Sequence, residues 1–86
     1  MIITKQAVAD QIAAYLHHGT TLAQLVDWSE RSLTDGEFAE HDEATLSQVV
    51  ARLGVADVRA FGLAWDDCEE LLRKLGLAPR VEVVAV

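Results

Sequence analysis

The chain has one cysteine, Cys68, and one proline, Pro79. A single thiol excludes an internal disulfide framework and fits a reducing compartment, so the cytoplasm is the expected location. No uninterrupted apolar run approaches the roughly 20 residues of a membrane span. Lys5 interrupts the apolar start before the hydrophobic stretch of a signal peptide could build. Basic residues are scarce, 7 against 14 acidic ones, for a net charge of −7. A phosphate-binding surface needs a basic stripe, so nucleic acid is disfavoured as a partner. There is no G-x-S-x-G, no P-loop and no G-x-G-x-x-G, and no Cys/His spacing suits zinc. With no nucleophile, base and orienting group to assemble, no catalytic activity, cofactor or metal is expected.

What the chain does have is apolar content, 51% of 86 residues, enough for one domain over 1–86 with a core of its own. The best-specified stretch is GLAWDDCEELLRKLG, residues 62–76. Cys68, Leu71, Leu72 and Leu75 recur at the spacing of one helical face, and Trp65 extends the stripe. Asp66, Asp67, Glu69 and Glu70 precede Arg73 and Lys74, which suits the helix dipole at both ends. Glu69–Arg73 and Glu70–Lys74 are spaced for i,i+4 ion pairs. Asp66 and Glu69 form a prospective capping box, and Gly76 is placed to take a left-handed conformation past the helix end.

The same grammar predicts three earlier helices. Thr4 caps the first, with Ile3 and Val8 placed as a hydrophobic staple. Val8, Ile12, Tyr15 and Leu16 face inward, His17 and His18 fill the last turn, and Gly19 ends it. Thr21 and Gln24 open the second helix as a capping box. Leu22, Leu25, Val26 and Leu33 face inward, Ser29 interrupts the stripe, Trp28 borders it, and Asp27 pairs with Arg31 outside. So short a link between the first two helices favours an antiparallel or steeply angled pair. Asp35-Gly36 breaks the pattern. In the third helix Leu46, Val49, Val50 and Leu53 form the stripe, and Gly54 with Val55 fits a Schellman stop. Residues 55–61 read either as a short turn capped by Asp57, with Val58 and Phe61 inward, or as an extended segment.

The expected fold is therefore mainly α, with helices at about 5–18, 22–34, 42–53 and 65–75 and a short C-terminal strand over 80–86, RVEVVAV. A lone strand leaves backbone groups unpaired, so it needs a neighbour. The alternative is α+β, with a two- or three-stranded sheet drawn from residues 1–3, 57–61 and 80–86.

Two stretches are candidate partner-binding surfaces. One is the acidic run Asp35, Glu37, Glu40, Asp42 and Glu43, which holds His41 and a single large apolar residue, Phe38. It lacks calcium-loop spacing, and acids are expected at a helix start in any case. The other is the strand, with Arg80, Glu82 and Val84. Cys68, amid acids on an apolar stripe, reads as a core residue rather than a nucleophile. The adjacent His17 and His18 point apart and do not chelate alone. Trp28 and Trp65 read first as core, and an exposed one would be an interface anchor.

These features favour a small acidic protein-interaction module, of the inhibitor, antitoxin or immunity type, steered to a basic protein. The alternative is a structural homo-oligomer, such as a dimer, assembled through the C-terminal strand. LAQLVDWSE together with RLGVADVRAFGLAWDDCEELLRKLG resembles an uncharacterised family of small bacterial proteins. That resemblance implies no activity, ligand or site.

Overall fold

The computed structural model describes residues 2–58 and 62–77. In order these form β1 (Ile2–Ile3), α1 (Lys5–Leu16), α2 (Leu22–Asp35), β2 (Glu37–Phe38), a 3-10 turn (Glu40–Asp42), α3 (Glu43–Gly54) and α4 (Trp65–Lys74). The architecture is mainly α, with a small parallel sheet. The expected strand over 80–86 falls outside the described residues, as does Phe61.

Local chemistry explains the starts of α1, α2 and α4. Thr4 Oγ1 accepts from the Ala7 N–H at 3.1 Å. Ile3 and Val8 both end in the core, as a staple requires. At α2, Thr21 and Gln24 complete a reciprocal capping box, with bonds of 2.9 and 3.1 Å. At α4 the expected Asp66–Glu69 box does not form. The helix is capped two residues earlier, at Ala64, and Asp67 Oδ2 accepts from the Ala64 N–H at 2.8 Å.

The small sheet pairs Ile2–Ile3 with a segment that carries no strand signal in the sequence. Ile2 lies opposite Glu37 and Ile3 opposite Phe38, in parallel. The Ala39 N–H extends the ladder to the Ile3 carbonyl at 2.9 Å. The residues between are α1, α2 and their link, which make the crossover a parallel pair needs. Gly36 makes the closing turn possible. A Cβ there would stand 2.6 Å from the Ser32 carbonyl and 2.9 Å from Ile3 Cγ1.

The core is built from the predicted stripes of α1, α3 and α4, and α2 packs most extensively on α3. Ser29 does not interrupt the inner face of α2 but belongs to it, fully buried together with Ser32. Each hydroxyl donates to the carbonyl four residues back, at 2.9 Å to Leu25 and 2.8 Å to Trp28, so neither needs an outside partner. Small side chains here let α3 approach closely, and Gly54 lies beside Ser29 and Leu33.

Several inward expectations fail for stated reasons. Leu33, on the last turn of α2, lies over Gly54 at the margin and is 44% exposed. Val58 is 45% exposed, because tight turns at 53–58 bring Ala56 inward in its place. Gly54 ends α3 without a left-handed residue, since the Ala56 N–H returns to the Leu53 carbonyl. Helix α1 stops at Leu16, so His17 and His18 lie in the link to α2 rather than in a last helical turn. That link therefore spans residues 17–21.

Candidate functional site

The acidic run is carried by the connection from α2 to α3. Asp35 closes α2, Glu37 lies in β2, Glu40 and Asp42 bound the 3-10 turn, and Glu43 opens α3. Asp35, Glu37, Glu40 and Glu43 are exposed and Asp42 is half-buried. Among the described residues only Asp42 of these five has an ion-pair partner, Lys5 at 3.3 Å, which ties the start of α1 to the 3-10 turn. The remaining predicted contact residues, Arg80, Glu82 and Val84, lie outside the described residues.

A second feature was not legible in the sequence. An open cleft of about 400 Å³ lies between the end of α1 and the approach to α4. Tyr15, Leu16, His18, Thr20, Thr21, Leu63 and Trp65 line it. Trp65 is 44% exposed, not the core residue that its periodicity implied. It stands on the first turn of α4, where its neighbour is the cleft. Tyr15 is half-buried, with its hydroxyl 3.5 Å from the Leu63 carbonyl. By contrast Trp28 packs against the core as expected.

His18 takes a left-handed backbone, φ 61°, which few residues other than glycine adopt. It occupies the turning position of a Schellman stop. The Gly19 N–H donates to the Ala14 carbonyl at 2.7 Å, and the His18 N–H donates to that of Tyr15 at 3.1 Å. The neighbouring Gly19 was the stronger sequence signal for this role, which is why the position was misread.

Arg52 positions the cleft's far wall. Its Nη2 donates to the Gly62 carbonyl at 3.1 Å and lies 3.7 Å from Asp67 Oδ1. Asp67 in turn holds the Ala64 N–H, so one side chain of α3 fixes both sides of Leu63 and the start of α4. The sequence signal was faint: a base in the last turn of one helix and an acid in the first turn of the next.

Cys68 is fully buried. Burial pushes its thiol up to about 11, the Asp67 carboxylate adds to the rise, and Arg52 opposes it. Such a thiol is a packing group at neutral pH rather than a nucleophile. His41 is exposed on the 3-10 turn. Among the described residues no group of three or more His, Cys, Asp or Glu side chains could hold a metal ion. No described helix is long and apolar enough to cross a membrane.

No family model matches the chain, and no solved structure matches it. Over 75 residues it is 33% identical to a tyrosine–tRNA ligase of Streptomyces griseus, a stretch covering 87% of this chain. The same stretch is 17% of the ligase, and likeness to so small a part does not carry the ligase's activity to this chain.

Proposed function

We propose that the protein is a small non-catalytic interaction module that binds a basic protein partner through its acidic surface, in the manner of an inhibitor, antitoxin or immunity protein. The observation that carries this reading is the segment 35–43, where four of the five acids are exposed and without an ion-pair partner among the described residues. Unneutralised surface charge of one sign raises the encounter rate with a partner of the other, and salt screens it. The test is affinity capture at low and high salt, comparing the native chain with a Glu37→Lys, Glu40→Lys, Glu43→Lys triple variant. The reading expects a basic protein retained at low salt by the native chain, and released by salt or by the triple variant. Retention unchanged by both treatments contradicts it.

A second reading draws on the likeness to part of a tRNA ligase, with the chain serving as an RNA-contacting module. The charge of −7 runs against it. Filter binding of bulk tRNA at low salt decides between the two, with no retention expected on the first reading. The homo-oligomer reading draws on the small sheet, which has two strands among the described residues and could be extended by a third. Solution mass with and without residues 80–86 tests it, and a monomer both before and after the deletion removes it.

A further inference from the structure

We draw no further inference here: the strongest candidate, the open cleft between the end of α1 and the start of α4 with the exposed Trp65 on its wall, carries none, because among the described residues no carboxylate, lysine or arginine lines it and nothing in the structure shows what covers it.

Discussion

Helices α1 and α4 end with the same two hydrogen bonds and differ in the residue that turns the chain. In α4 the Leu77 and Gly76 N–H groups return to the Leu72 and Arg73 carbonyls, each at 2.9 Å, and Gly76 holds the left-handed position at φ 80°. In α1 the matching bonds come from Gly19 and His18, and the left-handed residue is the histidine. The bonding pattern is thus indifferent to the side chain, while the backbone is not: a Cβ at that position costs on the order of 1 kcal/mol. Gly76 has nothing within 4 Å of where a Cβ would stand, whereas His18 lines the cleft. One stop uses the residue that its backbone favours, and the other carries a side chain that lines a cleft.

The largest effect tests a third helix end, where glycine serves a different purpose. Gly36 has an ordinary φ of −84°, and its constraint is space against Ser32 and Ile3. Gly36→Ala should therefore destabilise by about 2–3 kcal/mol in chemical denaturation, through overpacking and not dihedral strain.

The next prediction asks whether α4 stays anchored. Cys68 rests at about 11 when folded against an ordinary value of 9.0, so the folded state holds its proton longer than the unfolded one. The stabilising effect is complete below pH 9.0 and is lost as pH rises toward about 11. Over that window the native chain should lose about 2 kcal/mol more than a Cys68→Ala variant, measured by denaturant titration. Parallel pH curves would show that α4 frays and exposes the thiol.

Smaller effects separate the two stops directly. Gly76→Ala should cost about 1 kcal/mol, since φ 80° strains any Cβ. His18→Gly should gain about 0.5–1 kcal/mol in the same assay, the opposite sign at the equivalent position. A loss on His18→Gly would mean that packing of the imidazole outweighs its backbone strain.

The stripes of α3 and α4 were legible because a 3.6-residue period survives over two turns, as in Leu46, Val49, Val50 and Leu53, all buried. The pairing of Ile2–Ile3 with Glu37–Phe38 was not, because strands of two residues have no period to read. The polarity of Ser29 points outward in the sequence, whereas its hydroxyl is satisfied within its own helix and the side chain is buried. Periodicity put Trp65 on the inward stripe of α4, whereas it is 44% exposed on the cleft. The acidic run was plain in composition. The cleft was not, because it joins residues 15–21 to residues 63–65, and the latch of Arg52 on Gly62 and Asp67 that shapes it depends on how α3 meets α4.

The most direct test compares the native chain with the Glu37→Lys, Glu40→Lys, Glu43→Lys variant in affinity capture at low salt. The account predicts a basic protein retained by the native chain and lost from the variant. Equal retention by both would contradict it.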